Sequence, residues 1–258
     1  MFPSRYELKF LISTQQKARF LNATRSGLQE DSHGKNAVYR VTSQYLDSPQ
    51  LENYWEKLDG VEIRKKIRIR FYGEVTNSND LGNRAVFLEI KHRLNNIVAK
   101  ERVRLTSSEA NNILHESHLL GNLRDRINSK ERWTRSITQS VERAVNVYHY
   151  LPVNVISYVR EAWEGKVDDR LRVTFDSLCH AYEPDRFLSV SSTAGIPMND
   201  SNIVVLEIKF NRSIPRWIRD IINQQGLIMQ RFSKYATGLE VLHHHARRKT
   251  MAPNPSLC

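Results

Sequence analysis

The chain has 258 residues, 40% of them hydrophobic, and 39 Lys and Arg against 28 Asp and Glu, for a net charge of +11. That length and apolar content provide an adequate core for one large or two small globular domains, and the positive excess predicts an anionic partner: nucleic acid, a phosphate polymer or a membrane surface. Two cysteines, Cys179 and Cys258, exclude a disulfide framework, and no apolar run approaches the ~18 residues of a membrane span. Arg5, Glu7 and Lys9 interrupt what would be the apolar core of a signal peptide, so a soluble, cytoplasmic protein is expected.

In chain order, Arg5 to Ile12 alternates as a strand, and Ser13-Thr14-Gln15-Gln16 reads as a capping box opening a helix to about Leu28. Tyr39 to Asp47 reads as a strand, and Tyr54 to Leu58 as a second short one. Asp59-Gly60 then turns into the strand Arg64 to Phe71. A polar loop over 73–83 leads to a hairpin of Arg84 to Arg93 and Val98 to Leu105, turning at Asn95-Asn96. Thr106-Ser107-Ser108-Glu109 repeats the capping box and begins a helical region that breaks near Gly121 and ends about His149. Val153 to Trp163 and Arg170 to Ser177 are strands flanking a turn at Gly165, and Ile203 to Phe210 is the last strand. Ser213 and Ser233 are expected to cap two closing helices, to about Gln225 and Arg247. No linker divides the chain. A single domain over 1–248 is expected, with a disordered tail over 249–258.

The strands share one property: each sets charged residues on one face and apolar residues on the other. Lys66, Arg68 and Arg70 oppose Ile67, Ile69 and Phe71; Glu89 and Lys91 oppose Leu88 and Ile90; Lys100, Arg102 and Arg104 alternate likewise. Glu7 and Lys9, Tyr158 and Arg160, Arg172 and Asp176, and Glu207 and Lys209 repeat it. Separate solvated faces would look the same strand by strand, but one closed antiparallel β-barrel with a basic lumen, and helices packed outside, explains the repetition with a single cause. The expected class is therefore α+β, with the barrel forming a tunnel. Like charges lining a lumen are costly unless a polyanion fills it. Neither GxGxxG nor GxxxxGK[ST] occurs, so side chains rather than a backbone cradle must hold any phosphate.

Arg5-x-Glu7-x-Lys9, Arg68-x-Arg70, Leu88-Glu89-Ile90-Lys91, Tyr158-x-Arg160, Leu171 to Asp176, Leu206-Glu207-Ile208-Lys209 and Phe232-Ser233-Lys234-Tyr235 together resemble the VTC domain. This is the polyphosphate polymerase module of the triphosphate tunnel metalloenzymes, and the resemblance spans about residues 4 to 245. It implies phosphate-contacting catalytic roles for Lys9, Arg68, Arg70, Lys91, Arg160, Arg172 and Lys234, and substrate binding by Lys66, Lys100, Arg102, Tyr158, Lys209 and Ser233. Glu207 matches the family's metal-binding glutamate. Glu7 and Glu89 are further candidate ligands, and Glu89 equally reads as the structural partner of an Arg. Hard carboxylate oxygens shared with phosphate imply Mn²⁺ or Mg²⁺.

The implied partners are ATP and inorganic polyphosphate, without nucleic acid, and a membrane-protein partner is left open. Tunnel enzymes that hydrolyse triphosphates commonly open with ExExK, and Arg5 here replaces the first glutamate, which favours the polymerase branch. A triphosphatase and a non-catalytic polyphosphate-binding module are the alternatives. Replacing Arg70 or Glu207 by Ala is expected to lower turnover far more than stability. His243-His244-His245 reads as a solvated helix face, since consecutive helical residues point in different directions.

Overall fold

The computed structural model describes residues 5–31, 36–74, 85–94, 97–105, 132–190 and 193–251. The first strand, β1 (Arg5–Ser13), passes directly into α1 (Thr14–Thr24). The Ser13 hydroxyl accepts from the Gln16 N–H at 3.1 Å and the Gln16 side chain accepts from the Ser13 N–H at 2.9 Å, completing the capping box that the sequence announces. Next come β2 (Leu28–Glu30), β3 (Val38–Asp47) and α2 (Glu52–Leu58), and then β4 (Ile63–Tyr72), β5 (Val86–Leu94) and β6 (Ile97–Leu105). The second half holds α3 (Arg132–Asn146), β7 (Leu151–Gly165), β8 (Arg172–Tyr182), β9 (Ile196–Pro197), β10 (Ile203–Asn211), α4 (Arg216–Gln224) and α5 (Lys234–Met251).

Three local expectations change. The segment expected as a strand, 54–58, is helical, because its first turn is capped from the end of β3. The Asp47 carboxylate accepts from the N–H groups of Asn53 and Tyr54 at 3.0 and 3.2 Å, and the Ser48 hydroxyl accepts from Glu52 at 3.1 Å. Ser213 does not cap α4: the Pro215 carbonyl accepts from Ile218 and Arg219, and Ser213 lies outside the turn. Finally, α5 continues to Met251, so the first three positions of the expected tail are helical. The Asn95-Asn96 turn, the capping box at 106–109, the break near Gly121 and positions 252–258 lie outside the described residues, as does most of the loop over 73–83.

All strand pairings are antiparallel. They run β2-β7-β3-β4-β5-β6-β1-β10-β8-β9, and β7 also pairs with β8. The sheet therefore curls strongly, yet it is not the fully closed barrel expected. Between β1 and β6 the register consists of one pair, Arg5 with Val98, whereas β1 pairs with β10 over its whole length. The physical reason lies in the chain before α5. Gln230 donates its N–H to the Lys9 carbonyl at 2.8 Å and Met229 bridges Phe10, so this segment, not β6, occupies that edge of β1.

Alternation distributes the two faces as the sequence suggests. Outside, Ile67, Ile69, Phe71, Leu88 and Ile90 pack with Ile137, Val141 and Ala144 of α3. Phe10, Ile12, Val173, Phe175, Leu206 and Ile208 pack with Phe20 of α1 and with Ile218 and Ile221 of α4. A third cluster sets Tyr235 and Leu242 of α5 against Val41, Tyr45, Tyr158 and Val205, bringing the first turn of α5 to the concave face. No helix among the described residues is long and apolar enough to cross a membrane.

Candidate functional site: a basic cavity on the concave face

The register places the charged residues side by side on the inside of the curl. Lys9 is opposite Glu207, Arg68 opposite Glu89, Lys91 opposite Lys66 and Arg160 opposite Asp176. This face encloses a cavity of about 950 Å³ whose lining, among the described residues, includes twelve Lys and Arg but only three carboxylates, Glu7, Glu62 and Glu207. Of the residues singled out from the sequence, Glu7, Lys9, Lys66, Arg68, Arg70, Lys91, Tyr158, Arg160, Glu207, Lys209, Ser233 and Lys234 all line it.

Glu207 is the hub. Its carboxylate meets Lys234 at 2.9 Å, Lys209 at 3.0 Å, Lys9 at 3.4 Å and Arg160 at 3.6 Å. Burial opposes its ionisation, but Lys209, Lys234, Lys9 and Arg160 outweigh that and hold it well below the usual carboxylate range. Glu7 behaves alike: burial raises its pKa, and Lys9 at 3.4 Å with Lys91 at 2.8 Å overcomes it. Behind the hub, Asp176 is wholly buried and takes a two-pronged pair from Arg160, 2.7 Å on each arm, plus Lys234 at 2.6 Å. Burial disfavours the charge of Lys234, yet Asp176 and Glu207 raise its pKa well above the ordinary value, so it stays an ammonium.

Two cations are less well matched. Lys66 donates to the Ser233 hydroxyl at 3.0 Å and lies 4.8 Å over the Tyr235 ring; among the described residues no carboxylate pairs with it. Burial, followed by the charges of Lys9 and Lys91, lowers its pKa to about 7. Arg70 is 5% exposed and donates to two neutral hydroxyls, Ser43 at 2.8 Å and Tyr158 at 3.3 Å, with Glu89 only at 3.9 Å. A phosphate oxygen would supply the charge-assisted bonds that both lack.

Four residues from the sequence stand outside the lining. Arg172 is engaged by Asp31, by Glu164 at 3.4 Å and by the Tyr39 hydroxyl at 3.1 Å. Lys100, Arg102 and Glu89 form a group behind Arg68, in which Glu89 accepts from Arg68 at 2.7 and 2.9 Å and from Arg102 at 2.7 Å. Lys57, Arg64, Arg93 and Arg231 of the lining are not among the candidates named from the sequence, and Asp176, which the sequence places only in a charged row, is the buried counter-ion of Arg160 and Lys234. Arg64, Arg93 and Asp176 continue the period-two rows already marked. Lys57 and Arg231 come from α2 and the approach to α5, where no strand periodicity could reveal them.

The donor set also bears on a metal. Glu7 and Glu207 are ionised, share Lys9 and face the cavity, which fits a hard divalent ion held jointly with phosphate oxygens. Among the described residues no group of three His, Cys, Asp or Glu could form a protein-only cage. Glu89 does not fit, because it is fully buried and lies outside the cavity lining, where no phosphate oxygen could share the ion with it.

A family model of the VTC domain matches residues 4–243. The chain belongs to the VTC domain family. Vacuolar transporter chaperone complex subunit 4 of Trypanosoma cruzi is 26% identical, over 83% of this chain and 29% of that protein. The subunit 4 of Schizosaccharomyces pombe is 24% identical, over 96% of this chain and 36% of that protein. This VTC-domain chain thus spans about a third of the length of the curated relatives it matches. Two solved structures share the fold at a TM-score of 0.52. One is a putative adenylate cyclase from Bacillus halodurans, 13% identical over 90% of this chain and 94% of that one. The other is a putative adenylyl cyclase from Hippeastrum described as having a dominant triphosphatase activity, 14% identical over 92% of this chain and 95% of that one.

Proposed function

We infer that this VTC-family chain is a polyphosphate polymerase: it transfers the γ-phosphoryl group of ATP to the end of an inorganic polyphosphate chain lying in the basic cavity. The observation that carries this is the pairing of excess cation charge with incomplete compensation, namely half-buried Lys66 and buried Arg70 without a close carboxylate in a cavity of about 950 Å³. A triphosphate brings about four negative charges, and a longer phosphate chain more, to a lining of twelve Lys and Arg against three carboxylates.

In this reading Lys9, Arg68, Arg70, Arg160 and Lys234 hold the triphosphate and neutralise the charge that develops on the transferred group. Tyr158 and Ser233 fix the orientation of Arg70 and Lys66 through the hydroxyl contacts described above. The attacking group is a terminal phosphate oxygen, already anionic at pH 7, so no general base is required, and alignment supplies the rate. Glu207, with Glu7, would hold Mn²⁺ or Mg²⁺, which when bound would add charge neutralisation at the phosphate oxygens. Arg172 and Lys100 lie outside the cavity and bind no part of the triphosphate here.

Variant kinetics test the assignment. Arg70→Ala should lower ATP-dependent polymer synthesis by about 100-fold or more, the scale of removing one charged donor to the transferring group. Arg172→Ala should lower it less than threefold. Equal losses in the two proteins would contradict the cavity as the reaction site. A triphosphatase, favoured by the activity described for the Hippeastrum protein of like fold, would instead release free phosphate without polymer.

A further inference from the structure

Asp47 is wholly buried at the end of β3 and stands outside the cavity lining. Its carboxylate accepts four hydrogen bonds. Three come from the backbone, from the N–H groups of Ser48 at 2.8 Å, Asn53 at 3.0 Å and Tyr54 at 3.2 Å, and they hold the first turn of α2. The fourth comes from the Tyr235 hydroxyl, 188 residues further along the chain, at the start of α5. Burial, and then Asp47, push the Tyr235 phenol well above its ordinary pKa, so it stays a donor. Capping α2 needs only the backbone donors, and the bond to Tyr235 joins a different part of the fold.

Tyr235 carries much of the cavity with it. Its ring lines the cavity and tilts against the Tyr45 ring at 5.3 Å between centroids. Lys66 lies 4.8 Å over the Tyr235 ring, while the Arg68 guanidinium lies 5.9 Å over the Tyr45 ring and donates to its hydroxyl at 3.3 Å. The two tyrosines are thus an aromatic floor beneath two of the cations. Tyr235 also directly follows Ser233, which accepts from Lys66 at 3.0 Å, and Lys234, which pairs with Glu207 at 2.9 Å. Its own carbonyl accepts from the buried Asn154 amide at 3.0 Å. With the carbonyl held on β7 and the hydroxyl on β3, the ring is fixed at both ends.

We propose that Asp47 is a positioning residue for the cavity: through the Tyr235 hydroxyl it fixes the ring on which Lys66 rests, and with it the placement of Lys66, Ser233 and Lys234 against the transferring phosphoryl group. Asp47 itself touches no substrate. A slightly displaced cation still attracts a polyanion through its charge, but it no longer meets the transition state in line, so the bond serves turnover more than affinity. The inference rests on the cavity being the site of phosphoryl transfer from ATP.

A double-mutant cycle tests it. Tyr235→Phe keeps the ring and deletes the hydroxyl. Asp47→Asn keeps the size, and its single carbonyl oxygen can serve Ser48 and Asn53 while an amide N–H group faces Tyr235. ADP release from ATP gives kcat and KM, calorimetry gives the affinity for inorganic tripolyphosphate, and thermal melts follow stability. Tyr235→Phe should lower kcat about tenfold, with KM and tripolyphosphate affinity changed less than about threefold. Adding Asp47→Asn to it should lower kcat no further, although the melt should fall further because the cap of α2 is weakened as well. A native kcat in Tyr235→Phe, a loss of affinity as large as that of kcat, or kcat losses that multiply in the double variant overturns the positioning role and leaves the cavity reading intact. A native protein that releases no ADP from ATP overturns the cavity reading and this role with it. Should Asp47→Asn not fold, Tyr235→Phe decides alone, by the same kcat loss or its absence.

Discussion

Lys66 and Glu207 mark the two extremes of charge compensation in the cavity, and they make stability depend on pH in two different windows. With its pKa lowered to about 7, Lys66 is mostly neutral in the anion-free protein at pH 8. A bound polyanion restores the charge, so binding at that pH should take up close to one proton. Calorimetry in buffers of different ionisation enthalpy reads this uptake, and Lys66→Met should abolish most of it. Between about pH 7 and the ordinary lysine range the unfolded chain holds a proton that the folded chain lacks. The Lys66 contribution to stability therefore rises with pH across that window, and its cost is fully present below it. The depressed carboxylates have the same sign in a different window: what Glu7, Asp176 and Glu207 contribute is complete above the usual carboxylate range and is lost as pH falls from that range to their lowered pKa values.

Glu207 also corrects an expectation. Its replacement by Ala was expected to affect turnover far more than folding, but it neutralises Lys9, Lys209, Lys234 and Arg160 at once. Arg160 and Lys234 keep Asp176 and Lys9 keeps Glu7, but Lys209 loses its paired carboxylate, so the replacement should cost about 1–3 kcal/mol of stability in urea denaturation, beside any loss of activity. Replacing Arg70 frees only two hydroxyls, and there a stability loss of about 1–3 kcal/mol should accompany the much larger kinetic one.

Among the elements, α5 carries the most consequence because its first turn supplies Ser233, Lys234 and Tyr235 to the site. Its fit depends on Gly238, where an added Cβ would stand 2.2 Å from Ile156 Cδ1 and 3.1 Å from the Asn154 amide. Gly238→Ala should therefore destabilise by about 1–3 kcal/mol even though alanine favours helix by ~1 kcal/mol. A thermal melt showing a gain would contradict this packing. The strands were readable because period-two charge rows and one apolar face leave a single consistent register. The helix α2 was not, because the groups capping its first turn, Asp47 and Ser48, stand at the end of the preceding strand, and Leu51, between them and the helix, takes a positive φ of 58°. Nor could local pattern reveal the open seam. It depends on Met229 and Gln230, remote in sequence, meeting the edge of β1 at Phe10 and Lys9.

For the whole molecule, the basic face legible in seven strands becomes a cavity because antiparallel pairing curls those faces inward. Twelve residue names from the sequence meet there, while Arg172, Lys100, Arg102 and Glu89 fall outside for one reason: alternation specifies which side of a sheet a residue takes, not its height along the curl. The central claim is that ATP's phosphoryl group goes to another phosphate chain and not to water. It is tested most directly by incubating the protein with ATP and Mn²⁺ and following ADP, free phosphate and phosphatase-resistant polymer together. The account predicts polymer phosphate matching ADP released, with little free phosphate. Free phosphate matching ADP, with no polymer, would contradict it.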